Sequence, residues 1–257
     1  MKRTWLMVMA GICLTGCVQQ TTYSGTDQRV VEPTYDAVSA ARERIALGLT
    51  YLRRGDMEQA KFNLDKALKQ APDLDEAHLA LAFYFETVSD TDQAERAYLR
   101  ALRVNRHNAD AANNYGVFLC REGRFKEADT WMRRAVNNPD YIRQAQTYEN
   151  LGICAREAGW NDKAQGYFEQ ALNYDPRRAV SLLEVAELAF AARQPAKARK
   201  YLGRYHDGGN ESAQSLLLGV ELALEAEDTD AARRYGVLLL AKYPGSEQAK
   251  IYRTKFY

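Results

Sequence analysis

A single spacing constrains this chain more than any other feature: small and large apolar residues return every 34 positions. Leu47-Gly48, Tyr51, Ala60, Leu64, Ala67 and Pro72 are answered by Leu81-Ala82, Phe85, Ala94, Tyr98 and Ala101. A third unit reads Tyr115-Gly116, Leu119, Ala128, Met132 and Ala135. The fourth reads Tyr148, Leu151-Gly152, Ala155, Ala164, Phe168, Ala171 and Pro176, two residues late, which places a small insertion around Asn138-Pro139-Asp140-Tyr141. Two weaker units follow: Val185-Ala186, Ala189, Ala198 and Leu202, then Leu218-Gly219, Leu222, Ala231 or Ala232, and Pro244. The small residues sit where one helix must approach another closely, and Leu, Tyr and Phe fill the spaces between. Gly55, Gly123 and Gly159 fall between the two helices of a unit, where a left-handed turn is cheap for glycine. Pro72 and Pro176 end the second helix.

A period of 34 residues built from helix pairs is that of the tetratricopeptide repeat. One pair cannot bury its own apolar face, so neighbouring pairs stack into a solenoid. The predicted fold is an all-α tetratricopeptide-repeat (TPR) superhelix of about six helix pairs over residues 37–257, the last two degenerate.

The start of the chain is different in kind. Lys2 and Arg3 precede an uncharged, mostly apolar run, Thr4 to Thr15. That run is shorter than the roughly twenty residues a bilayer core requires, and it has the form of a secretory signal. Leu14-Thr15-Gly16-Cys17 resembles a bacterial lipobox. Residues 1–16 then read as a removed signal peptide and Cys17 as the lipidated first residue. Two or three acyl chains, at about 0.8 kcal/mol per buried methylene, would anchor it stably. Residues 17–36, including Gln19-Gln20-Thr21-Thr22-Tyr23-Ser24-Gly25-Thr26, have little to bury and read as a flexible tether. Val18 rather than aspartate follows the lipid cysteine. By the lipoprotein pattern, that implies outer-membrane localisation, lipid-anchored and facing the periplasm.

Charge excludes some partners. Lys and Arg number 35 against 34 Asp and Glu; without Lys2 and Arg3 the balance is 33 against 34, or −1. No large positive field exists to draw nucleic acid. No catalytic residues can be named: nucleophile elbow, P-loop and GxGxxG are all missing, and nothing suggests a small-molecule substrate or a cofactor. His78, His107 and His206 fall in separate repeats without metal-ligand spacing, and His78 reads as a packing residue. The chain therefore reads as a binding protein and not an enzyme.

Two cysteines remain beyond Cys13 and Cys17. Cys120 and Cys154 lie near the ends of first helices in consecutive repeats, so they are a disulfide candidate in an oxidising compartment; the alternative is two buried thiols. Ile45, Leu49, Leu52, Leu79 and Phe83 lie beside the packing stripe of the first two units and are read as an apolar protein-binding groove. The alternative is that they support a neighbouring helix. Asn113, Val117, Glu149 and Arg156 give the next two units a mixed surface.

The run Asn113-Asn114-Tyr115-Gly116-Val117-Phe118-Leu119-Cys120, followed by Gly123-Arg124-Phe125, resembles the PilF/PilW lipoproteins of type IV pilus biogenesis. So do Glu149-Asn150-Leu151-Gly152 with Tyr167-Phe168, Ser215-Leu216-Leu217-Leu218-Gly219, and Tyr243-Pro244-Gly245-Ser246. The resemblance implies a pilotin: an outer-membrane lipoprotein that assists localisation and multimerisation of the type IV pilus secretin, and with it pilus stability and twitching motility. It implies the secretin as protein partner and outer-membrane lipid as the anchor's surroundings. A TPR adaptor for peptidoglycan enzymes or other envelope complexes is the other reading left open.

Overall fold

The computed structural model describes residues 36–256; the predicted signal peptide, Cys17 and nearly all of the predicted tether lie outside them. The described residues form thirteen helices and no strand. They pair as α1 (Ala37–Arg53) with α2 (Met57–Gln70), α3 (Asp75–Thr87) with α4 (Thr91–Val104), and α5 (Ala109–Arg121) with α6 (Phe125–Val136). Then come α7 (Gln144–Glu157) with α8 (Asn161–Tyr174), α9 (Ala179–Ala191) with α10 (Pro195–Asp207), and α11 (Ala213–Glu225) with α12 (Thr229–Lys242). α13 (Glu247–Phe256) follows the sixth pair. The chain is an all-α TPR superhelix.

The pairs share one turn geometry and, in part, one capping chemistry. Asp56, Asp90, Asn108 and Asp228 cap second or first helices by accepting from the backbone N–H three residues on. Between the two helices of every pair one residue turns left-handed: Gly55, Ser89, Gly123, Gly159, Arg193 and Glu227. Glycine takes that conformation freely, so half of the turns are signalled in the sequence. Ser89, Arg193 and Glu227 adopt it against their side-chain preference because the packed helices on both sides leave no other path.

The packing rule follows the small residues. A Cβ on Gly48 would stand 2.8 Å from Leu64, and one on Gly152 would stand 2.6 Å from Phe168. Gly116 faces Met132 more tightly still. In each of the first five pairs a small residue on the first helix thus accepts a large one on the second, sixteen positions later.

The sixth pair departs from the predicted register. Ser181, Leu182, Ala186 and Ala189 are buried, and so are Ser215, Leu216, Val220 and Ala223, each 34 residues on. Val220, not Gly219, therefore holds the close-approach position. Its counterpart on α12 is Gly236, so large and small have exchanged places. Tyr252 of α13 packs over Gly236 and fills the room that the exchange leaves. Gly219 instead faces Tyr235.

Buried polar side chains fix the stacking in the middle of the solenoid. Tyr141, in the two-residue insertion, bonds Thr147 at 3.0 Å, and the Thr147 hydroxyl donates to Asn113 at 2.9 Å. Glu149 is buried, accepting from Arg178 at 2.5 Å and from the Ser181 hydroxyl at 2.7 Å. His78 is buried too, and its Nε2–H donates to the Pro72 carbonyl at 2.9 Å. Cys120 and Cys154 are joined in a disulfide between α5 and α7, with their Cα atoms 5.8 Å apart. That bond lies beside the insertion, where the regular spacing is broken.

Candidate inner binding face

The first helices stand side by side: α5, α7, α9, α11 and α13 contact one another in turn. Arg42 of α1 pairs with Glu76 of α3 at 3.0 Å, and Arg121 of α5 pairs with Glu86 of α3 at 2.9 Å, which extends the row to α1. The close-approach residue of each first helix points at its own second helix. The residue after it is turned by about 100°. That next position generates one row across the face: Leu49, Phe83, Val117, Ile153, Glu187 and Glu221.

Four members of this row are apolar and consecutive. Phe83 is 49% exposed and Ile153 37%; Val117 between them, and Leu49 at the end of the row, are half-buried. A contiguous exposed apolar patch marks an interaction site; here Phe83 and Ile153 are the exposed members, and Leu49 and Val117 also pack on the core.

The five groove residues predicted from sequence do not form one exposed strip. Ile45 and Leu52 are buried, together with Ala41 and Gly48. Those four recur at intervals of four, three and four residues, which is the interior stripe of a helix. Leu49 and Leu79 are half-buried against the core, and only Phe83 is exposed. Conversely Leu47, expected to pack, is 40% exposed on α1, the first described helix. Asn113 and Glu149, read as open mixed surface, are buried in the polar network above. Sequence reasoning missed Ile153 as part of the row, although counting 34 residues and adding the two-residue insertion leads from Phe83 through Val117 to it.

Beyond Ile153 the row turns acidic. Arg156 on α7 reaches across to α9, where it pairs with Glu184 and, at 2.8 Å, with Glu187. Burial pushes the Glu184 carboxyl above the usual range, against the pull of Arg156. A cleft of about 280 Å³ opens here, lined by Glu187, Phe190, Leu217, Glu221 and Ile251 among others. Among the described residues no group of His, Cys, Asp and Glu is placed to hold a metal ion, and no helix is long and apolar enough to cross a membrane. The arrangement offers contact surface and charge.

Comparison with known proteins agrees with this geometry. Tetratricopeptide-repeat family models match residues 108–177 and 44–74. The type IV pilus assembly protein PilF of Pseudomonas aeruginosa is 36% identical over 244 residues, 95% of each chain. This chain belongs to the PilF/PilW family of type IV pilus biogenesis TPR proteins. The solved structure of P. aeruginosa PilF superposes with a TM-score of 0.76 at 37% identity, covering 85% of this chain and 98% of that one. That of PilW, a type IV pilus biogenesis factor, gives 0.71 at 28% identity, covering 83% and 98%. Family membership makes this a pilus-biogenesis scaffold that acts through protein–protein contact.

Proposed function

We propose that the protein is an outer-membrane lipoprotein, anchored through acylated Cys17 and facing the periplasm, that binds the type IV pilus secretin and assists its localisation and multimerisation. The observation that carries this reading is the row Leu49, Phe83, Val117 and Ile153: apolar side chains aligned over four repeats on the face that first helices share. The proposed function requires that a secretin subunit in transit presents apolar segments that become buried in the finished ring. An apolar row holding such a segment keeps it from aggregating and releases it on assembly, with no chemistry required. The lipid supplies the address and the row supplies the grip.

The test is capture of the secretin from detergent-solubilised envelopes by tagged full-length protein. Phe83→Glu places a charge where an apolar partner must dock, and an interface anchor worth about 2 kcal/mol corresponds to at least ~30-fold weaker capture. Phe83 is exposed, so circular dichroism and melting should stay those of wild type. Ile45→Glu serves as contrast, because that side chain is interior and the variant should lose stability. A folded Phe83→Glu protein that captures the secretin and supports heat-stable multimers as well as wild type would refute this site.

A further inference from the structure

The acidic end of the inner row differs from the apolar end in chemistry, although the same repeat position generates both. α9 and α11 carry Glu184, Glu187, Glu221 and Glu225 and not one lysine, arginine or histidine. The cleft between them is served by Arg156, which is shared by Glu184 and Glu187, and by Lys255 of α13, 3.5 Å from Glu221 and largely exposed. Three carboxylates thus face two cations.

Glu187 shows the shortfall most plainly. One of its oxygens accepts from Arg156; the other, Oε1, is buried and has no donor among the described residues. A buried carboxylate oxygen without a donor is costly, and a charge-assisted hydrogen bond is the strongest remedy. Phe190, Leu217 and Ile251 give the same cleft apolar walls, on which the stem of a long basic side chain can lie.

We infer that the cleft between α9, α11 and α13 receives arginine or lysine side chains of an apolar-flanked peptide segment, with Glu187 and Glu221 as the recognising groups. Bound along the row, such a segment sets its apolar residues on Phe83, Val117 and Ile153 and its basic residues on Glu187 and Glu221. The change from apolar to acidic gives the row a direction, so a segment fits one way round. Packed helices lie about 8–10 Å apart, which one turn of a polyproline II segment spans: three residues at roughly 3.1 Å each, with the first and fourth side chains on one face. Basic residues three apart therefore match the two glutamates.

The inference rests on the inner face being a peptide-binding surface, but not on the identity of the secretin. The probe is a labelled, end-blocked peptide with two arginines three residues apart among leucines and serines. Its twin carries citrulline, which keeps the shape and loses the charge. Fluorescence anisotropy with the full mature chain should give at least about tenfold tighter binding of the arginine peptide, the worth of one charge-assisted hydrogen bond. Glu187→Gln and Glu221→Gln should each remove most of that preference and leave citrulline binding unchanged. Among the described residues Glu221 pairs with the exposed Lys255, so Glu221→Gln decides the matter even if Glu187→Gln disturbs Arg156 and the fold. Equal affinity for the twins, or a preference that survives Glu221→Gln, overturns the inference. An arginine preference together with failed secretin capture would sink the secretin reading and leave this one standing.

Discussion

Removing the Cys120–Cys154 bond is the perturbation whose size follows most directly from the structure. The bond closes a loop with a sequence separation of 34 residues. For that loop the chain-entropy relation gives about 3.8 kcal/mol of stabilisation at 25 °C, through restriction of the unfolded chain. The loop encloses α6, the two-residue insertion and most of α7. In a solenoid each repeat is held mainly by its neighbours, so the loss should concentrate there and not spread evenly. Both cysteines are buried, and alanine at the two sites keeps most of the packing. Urea unfolding of the Cys120→Ala/Cys154→Ala protein should show a fall of about 3–4 kcal/mol. The denaturant slope should rise, because the open chain exposes more surface. Hydrogen exchange should quicken first in α6 and α7. Free-thiol titration of the denatured, unreduced mature protein checks the premise. Two titratable thiols, or a double variant within 1 kcal/mol of wild type at unchanged slope, would refute the reasoning.

Other outcomes follow from single contacts. Glu149→Ala leaves Arg178 without its buried partner and should cost roughly 2–3 kcal/mol, toward the low end for a broken buried pair because a fifth of the Arg178 side chain still meets solvent; adding Arg178→Leu should recover part of it, and a single-variant cost under about 0.5 kcal/mol would show that the pair does not clip the repeats together. Burial, opposed by Glu211 and Asp207, lowers the His206 pKa below its ordinary value. The unfolded chain then binds the proton more readily, so stability should fall as pH drops below about 6.5; urea midpoints at pH 7.5 and 5.5 should differ less in His206→Gln than in wild type, and identical pH slopes would count against it. Cys17→Ser should release the protein from the membrane into the periplasm, and alkyne fatty-acid label retained by that variant would disprove acylation at Cys17.

The repeat itself was legible in the residues because close helix approach needs a Gly or Ala on one of the two helices, and that requirement leaves a periodic trace. Gly48, Ala82, Gly116, Gly152 and Ala186 announce five of the six pairs, and Gly55, Gly123 and Gly159 announce three of their turns. The proposed lipobox, Leu14-Thr15-Gly16-Cys17, likewise rests on adjacent residues alone. The neighbourhood of Cys120 and Cys154 followed from stacking alone.

What the tertiary structure decided is which face each apolar residue takes. A step of one residue turns a helix by about 100°, so Ile45 and Leu52 fall into the core while Phe83 stays on the surface. A hydrophobicity pattern marks all of them alike. The sixth pair makes the same point from the packing side. Nothing local distinguishes Gly219 from Val220 as the close-approach residue until Gly236 and Tyr252 are in place to share the volume. Glu149 and Asn113 look like surface in the sequence, and become interior because Arg178, Ser181 and Thr147 arrive from neighbouring repeats to satisfy them. Periodicity records what a residue demands of its own helix pair; burial and pairing depend on what the next pair brings.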